Sequence, residues 1–506
     1  MGAAFQGRLY LRALALAGVV ALGLIAGLDA NLLVEHTQAG LAVLLPIVAL
    51  APIIVRLVQR KFDPFEPIQI VALTYFFLYG IRPFSELLSN FAFFDNQYTR
   101  GGFTGAALVS LVGIVSTYAG YAMTFGRSWA RRTPASAERW DPERSVRFGI
   151  WVLVVCALLT AAFAAQVGPS TLFHFYLGRT TTSFQTFLAV SGYVGLGPYL
   201  TIPAAIIFAF AFARLRTVKT FLLLAVSLGG AIFVSVPQGD RTYVLALVLP
   251  LVVFPYLRVS KRPSGATTLV VVLVAVLGLN ILLGTRTVGK RQPILTETAN
   301  AVTHIPHQLS KFATGVDLAE FSVLELEYEA FHSKSDPLTF QPGQTLLATL
   351  AYPLPRSIVG KTNKPPPAGQ AVVNRLFPNQ SGQRASFNPA MFGDFYADDG
   401  YLTIVLYCLV IGMGIRFLWE YFLLHRESEG IQIVFAATLP MLVIMVRNSI
   451  TDGIARSLFM VGPLIWCLIV CSRPRMRKLA GWRVRPELKD AVPVQPSQPT
   501  EPALRA

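Results

Sequence analysis

The sequence predicts an all-α polytopic membrane protein with about twelve transmembrane helices and one large extracytoplasmic loop. Three observations lead there. Hydrophobic residues make up 54% of the 506 and charged residues only 14%, with a mean hydropathy of +0.54. A soluble chain has no interior large enough for that much apolar surface. The apolar residues also lie in blocks long enough to cross a bilayer, which takes about 20 residues of helix. Finally, a polar, Pro- and Gly-rich stretch at 285–400 interrupts them.

The apolar blocks place spans at 10–28, 40–57, 67–83, 104–124, 148–165, 187–212, 219–236, 241–257, 267–284, 401–423, 431–446 and 453–471. Residues 1–29 have the look of a signal peptide, with Arg8 and Arg12 before an apolar run, and read better as a retained anchor. Span 3 is bounded closely by Pro67 and Arg82, and only Pro237 to Asp240 separate spans 7 and 8. The chain thus divides into spans 1–9 (1–284), the long loop (285–400), spans 10–12 (401–471) and a basic, then Pro-rich, disordered tail (472–506).

Orientation follows from the bias of Lys and Arg toward the cytoplasm. With both termini cytoplasmic, the inner segments hold 27 of the 43 basic residues and the short outer loops only six. The other ten lie in the long loop, which is therefore expected outside, since long loops translocate largely regardless of charge. The net charge of +16 reflects the inner loops, so nucleic acid is not an expected partner. Cys156, Cys408, Cys467 and Cys471 all fall in predicted spans, with neither a disulfide framework nor zinc spacing.

Within the long loop, residues 294–331 space apolar side chains as amphipathic helices do, predicting one or two helices along the membrane surface or across the bundle. Residues 337–367, with seven prolines, predict turns, and SFNPAMFGDFYADDG leads into span 10.

Arg179, Arg241, Arg286, Arg291, Arg356, Arg384, Arg447 and Arg456 are predicted at the outer membrane face. A charge at the head of a span is costly unless it meets water, a partner or a ligand. The planar guanidinium pairs well with phosphate, so convergent arginines suit an anionic lipid headgroup, a diphosphate best. Arg241 serves equally as an interfacial side chain or as a partner of Asp240, and Arg286 as an ordinary flanking charge. Arg447 has a ready partner in Asp452 within its own loop.

For acid–base work the candidates are Asp394, Asp398 and Asp399 in FGDFYADDGY, Glu325 and Glu327 in LELEYE, and His304 and His307 in THIPHQL. Asp398 and Asp399 are expected to cap span 10. The histidines lack a nearby acidic ligand, and Pro306 stands between them, which disfavours a metal pair. No Walker, Rossmann, HExxH or GxSxG motif occurs, and the largest inner loop has about twenty residues, too few for a nucleotide-sugar domain. A sugar donor would have to arrive on a lipid.

Three segments carry a resemblance to bacterial oligosaccharide repeat-unit polymerases, the Wzy-type O-antigen, capsule and exopolysaccharide enzymes. They are GDRTYVL at 239–245, AYPLPRSIVGKTNKPPP at 351–367 and SFNPAMFGDFYADDGYLTIVLYCLVIGMGIRFL at 386–418. The family pattern falls on Pro355, Arg356, Gly360, Lys361, Ser386, Pro389, Gly393, Asp394, Tyr396 and Gly400, with Asp394 where members often have Glu. The resemblance implies a GT-C-like membrane glycosyltransferase fold akin to the O-antigen ligases, in a bacterial cytoplasmic membrane. Both substrates would be undecaprenyl-diphosphate-linked glycans, used without metal, nucleotide or other cofactor. A chain-length regulator and a flippase would be partners. On that view Asp394 is the catalytic base, with His304 second, and Arg241, Arg286, Arg356, Arg447, Arg179 and Arg291 bind substrate. The alternatives are an O-antigen ligase or a polysaccharide transporter.

Overall fold

A computed structural model of the chain describes residues 33–89, 93–94, 97–98, 100–134, 139–170, 172, 192–235, 241–259, 319–352, 354, 366–377 and 390–473. The described residues are almost wholly helical, with two two-residue antiparallel bridges. Eight helices are long and apolar enough to cross a membrane: Thr37–Val58, Phe103–Ala122, Pro142–Val167, Val194–Leu215, Val218–Ser235, Ala390–Leu424, Glu429–Arg447 and Ile450–Cys471. The chain is a polytopic membrane protein. Predicted spans 1 and 9 lie outside the described residues. Span 8 forms a shorter apolar helix, Thr242–Arg258.

The first half supplies α1 (Leu33–Val58), α2 (Pro67–Tyr75), a π-helical turn (Phe76–Gly80), α3 (Ile81–Ser89), α4 (Phe103–Ala122), α5 (Thr124–Arg132) and α6 (Pro142–Val167). They are followed by α7 (Gly192–Leu196), α8 (Thr201–Leu215), α9 (Val218–Ser235) and α10 (Arg241–Arg258). The long polar stretch contributes α11 (Ala319–Phe331), α12 (Gln344–Ala351) and α13 (Ala368–Leu376). The chain then runs through α14 (Ala390–Leu424), α15 (Glu429–Arg447), α16 (Ile450–Met460) and α17 (Gly462–Cys471).

Local chemistry sets the helix ends. α6 starts where Asp141 accepts from the backbone N–H of Glu143 and Arg144, with Pro142 at the first helical position. Ser449 caps α16 by accepting from the Asp452 N–H at 3.1 Å. α14 breaks inside, at Asp399 and Gly400 (φ 63°), a left-handed angle that glycine tolerates. Thr403 spans the break, accepting from the Asp399 N–H and donating to the Phe395 carbonyl at 2.6 Å.

Two cores share α15. One face, Ile431, Phe435, Leu439, Leu442 and Val446, packs with α1, α2, α4 and α14. The other, Ile433, Ala437, Met441 and Ile444, packs with α6, α8, α10 and α17. α4 and α14 approach backbone to backbone at Gly120 and Gly412, where a methyl group would overlap the Leu409 and Thr117 carbonyls. Outward faces stay apolar, as at Trp151, Leu158, Val226 and Val410.

Charges collect at the two ends of the bundle. One end holds Arg56–Glu66 (2.5 Å), Arg127–Glu420 (3.6 Å) and the pairing of Arg214 and Arg258 with Glu429. The other holds Arg82–Glu86 (3.8 Å), Arg447–Glu320 (3.0 Å) and Arg456–Asp452 (2.9 Å). α15 runs from the first end to the second.

Candidate functional site

The second end is built by α11 and the first two turns of α14. The amphipathic reading of 294–331, of which 319–331 is described, allows a helix along the membrane surface or across the bundle. The structure takes the second alternative and buries α11 on nearly every side: Phe321, Val323, Leu324, Glu325 and Glu327 are wholly inaccessible. It lies against Arg100–Gly102 and α4 through glycines, so close that a methyl at Gly102 would overlap the Glu325 backbone and one at Gly105 the Tyr328 ring. The expected turn region 337–367 contains a further helix, α12. The run AMFGDFYAD is itself helical and buried.

Asp394 sits at the centre of this packing and is wholly buried. Gly369, on α13, lies so near that an added methyl would stand 2.8 Å from Asp394 Oδ1. The Thr345 hydroxyl donates to the Asp394 carbonyl at 3.1 Å and accepts from the Ala368 N–H at 3.2 Å, joining α12, α13 and α14. The Ser449 hydroxyl and the backbone N–H groups of Gly369 and Gln370 face the Asp394 carboxylate. Among the described residues none of these donors makes a hydrogen bond of normal geometry to either carboxylate oxygen.

Asp398 is a correction to the capping expectation. It is wholly buried, accepting from the Thr345 N–H at 2.8 Å and the Tyr407 hydroxyl at 3.1 Å. It therefore ties α12 to the lower part of α14 instead of capping a helix. Asp399 lies in the kink itself.

Glu327 is another wholly buried carboxylate, and among the described residues neither of its oxygens has a hydrogen-bond partner. Burial, and secondarily the charge of Asp394, push its pKa well above the usual carboxylate range. Tyr79, fully buried on the π-helical turn, lies within electrostatic reach of Glu320 and Asp394 and packs its ring 4.6 Å from Phe392. Such turns recur at functional sites because they re-aim one side chain.

Arginines flank this core. Arg447 donates to Glu320 at 3.0 Å, joining α15 to α11. That corrects the expected pairing with Asp452, which instead holds Arg456 and Asn448. Arg456 also donates to Thr242 at 2.8 Å and lies 4.7 Å over the Tyr243 ring. Arg456 thus draws in the first turn of α10, which Arg241 opens. Arg179, Arg286, Arg291, Arg356 and His304 lie outside the described residues.

Beside Asp394, a set of rings reaches the surface. Tyr396 packs 5.5 Å from Tyr328, 5.7 Å from Phe340 and 5.6 Å from Tyr401. Phe340 and Tyr401 are exposed, at 40% and 38%.

Sequence reasoning found Asp394, Glu327 and Arg447 from residue type and place. It missed Tyr79, Thr345, Glu320 and Ser449, and of these only Ser449 had a readable signal, the Ser-x-x-Asp pattern before α16. No protein-family pattern, curated protein or solved structure matches this chain, so the site stands on its own geometry.

Proposed function

We propose that the chain is a membrane glycosyltransferase that polymerises lipid-diphosphate-linked oligosaccharide repeat units. The observation that carries the reading is Asp394, a wholly buried carboxylate faced by the Ser449 hydroxyl and two backbone N–H groups, at the bundle end where Arg447, Arg456 and the head of α10 gather. Asp394 takes the proton from the acceptor sugar hydroxyl. That oxygen attacks the anomeric carbon of the donor glycan, one glycosidic bond forms, and the bond from sugar to diphosphate breaks. The departing lipid diphosphate carries the displaced electron pair and is held by arginine. Phosphate would exchange with Glu320 for Arg447 and with Asp452 for Arg456. The exposed rings of Phe340 and Tyr401 offer flat apolar faces on which a sugar can stack.

The test is elongation of a lipid-diphosphate-linked repeat by purified protein in liposomes, read as a ladder of chain lengths. Asp394→Asn should lower the rate by about 10²–10⁴-fold, the span expected for a general base, while membrane insertion stays normal. Arg241→Ala should abolish long chains. A full ladder from Asp394→Asn would remove that residue from the chemistry, and transfer only to a lipid core would assign a ligase.

One observation favours a second reading, proton-linked transport of a polysaccharide. Glu327 and Asp394 are buried carboxylates that, among the described residues, form no ion pair, the kind of group that carries protons in transporters. Uptake into liposomes driven by a pH gradient, without any elongation, would decide for it.

A further inference from the structure

The opposite end of the bundle holds a cavity of about 470 Å³ that plays no part in the reading above. Phe210, Phe254 and Trp140 line its inner part, and Arg214, Arg258 and Glu429 its charged part. Glu429 opens the 19-residue helix α15 and Arg447 closes it. At 1.5 Å per residue this separates the cavity from the Asp394 region by about 27 Å. The two are distinct places.

The wall is apolar and rigid. The Phe210 ring meets Phe254 edge-on at 3.9 Å and Trp140 at 6.2 Å. Trp140 belongs to Arg139–Trp140, the short strand paired with Ser472–Arg473, so its place is set by the far end of the described chain. Its indole N–H is buried and, among the described residues, meets no acceptor.

The charged part is asymmetric. Arg214 grips Glu429 through Nε and Nη2, and Arg258 touches it only through Nε at 3.6 Å. Among the described residues, Nη1 of Arg214 and both Nη groups of Arg258 meet no protein acceptor. Glu429 cancels one of the two positive charges and holds both guanidinium groups in position. A second carboxylate, the exposed Glu427, also lines the cavity, so the lining itself carries two positive and two negative charges. Exposed Arg426, Arg216 and Lys219, just beyond the lining, make the surrounding surface positive.

We propose that this cavity binds the phosphate headgroup of an acidic phospholipid, with the start of an acyl chain against Phe210 and Phe254. Three features select that ligand over a soluble anion. The donors come from both guanidinium groups and from an indole at the edge of an apolar pocket, so the ligand needs an acceptor and an apolar part. The cavity lies between the ends of four elements of a membrane-embedded bundle, at headgroup depth for helices that span with these charged ends in water. Its volume falls in the range of small-ligand sites.

The test uses the full-length protein in detergent, titrated with phosphatidylglycerol, phosphatidylcholine or inorganic phosphate and read by native mass spectrometry. Phosphatidylglycerol should bind at least tenfold more tightly than phosphatidylcholine, and phosphate should not compete at equal concentration. Arg258→Ala should weaken phosphatidylglycerol binding about tenfold. Trp140→Phe keeps the aromatic packing and removes only the donor, so it should bind several-fold more weakly with an unchanged thermal midpoint. Trp151→Phe, on the outward face of α6, should bind as the parent does. Equal binding of the two lipids, or Trp140→Phe and Arg258→Ala binding like the parent, would overturn the proposal. Free phosphate competing as well as the lipid would overturn the lipid assignment and leave a soluble phosphate as the ligand.

Discussion

Glu327 and Asp394 are the residues on which the site turns, and Glu327 makes a prediction that needs no knowledge of substrate. A carboxyl whose folded-state pKa is raised is protonated in the folded chain while the unfolded chain has already ionised. The folded state then binds more protons, so its stability is greatest below the usual carboxylate pKa and falls as pH rises toward the shifted value. Glu327→Gln removes this penalty. Its thermal midpoint should exceed that of the parent at pH 8 by about 1–3 °C, with the difference vanishing near pH 4. An equal midpoint at pH 8 would mean that Glu327 is solvated. Arg447 permits a sharper separation of roles. Arg447→Ala leaves buried Glu320 without its cation and should destabilise by about 2–4 kcal/mol. Arg447→Ala with Glu320→Gln should recover most of that stability. If Arg447 holds phosphate, the double variant regains the fold but not chain elongation; recovery of both would make the pair purely structural.

At the scale of elements, the contact between α4 and α14 explains why α14 can carry a buried carboxylate at a set height. Gly120 and Gly412 let the two backbones touch, and in a membrane that close packing drives helix association in place of the hydrophobic effect. Gly120→Ala pushes a methyl against the Leu409 carbonyl and should cost about 1–3 kcal/mol. Gly414→Ala, two residues beyond Gly412 and with open space around it, should be neutral. Matched thermal unfolding in detergent checks both, and equal midpoints for the two variants would contradict the packing. The kink at Gly400 is the other element-level device. It turns the buried run 390–398 away from the axis of the outward-facing run that follows, where Leu402, Leu406 and Val410 are exposed. These features were only partly legible in advance. The glycines are visible in the sequence, but hydropathy does not say which of them faces another helix.

Over the whole molecule, the two charged ends and the apolar waist are the arrangement a bilayer imposes. Because α1, α4, α6, α8, α10, α14 and α15 each begin at one end and finish at the other, one labelling experiment orients them all. The four native cysteines are buried, so the background is low. A cysteine at Ser335, exposed near the Asp394 end, should react with an impermeant maleimide in intact cells. One at Glu427, exposed at the Glu429 end, should react only after permeabilisation. The reverse pattern would place the Asp394 end inside and withdraw the proposed polymerase, whose lipid-linked substrates are expected outside.

Composition and the length of the apolar blocks were enough to determine that this chain lives in a membrane as a stack of helices. That follows because unpaired backbone groups are intolerable in hydrocarbon, a constraint that acts on every residue alike. The nature of the long polar stretch was decided only in three dimensions. Spacing that allows a surface helix also fits a helix sunk between α4 and α14, and the difference lies in Gly102 and Gly105 offering room on the receiving side. In the same way Arg447 took Glu320, 127 residues distant, over Asp452 in its own loop. Nearness along the chain says little about which charges meet once helices have packed, because burial rewards whichever partner can share the desolvated site.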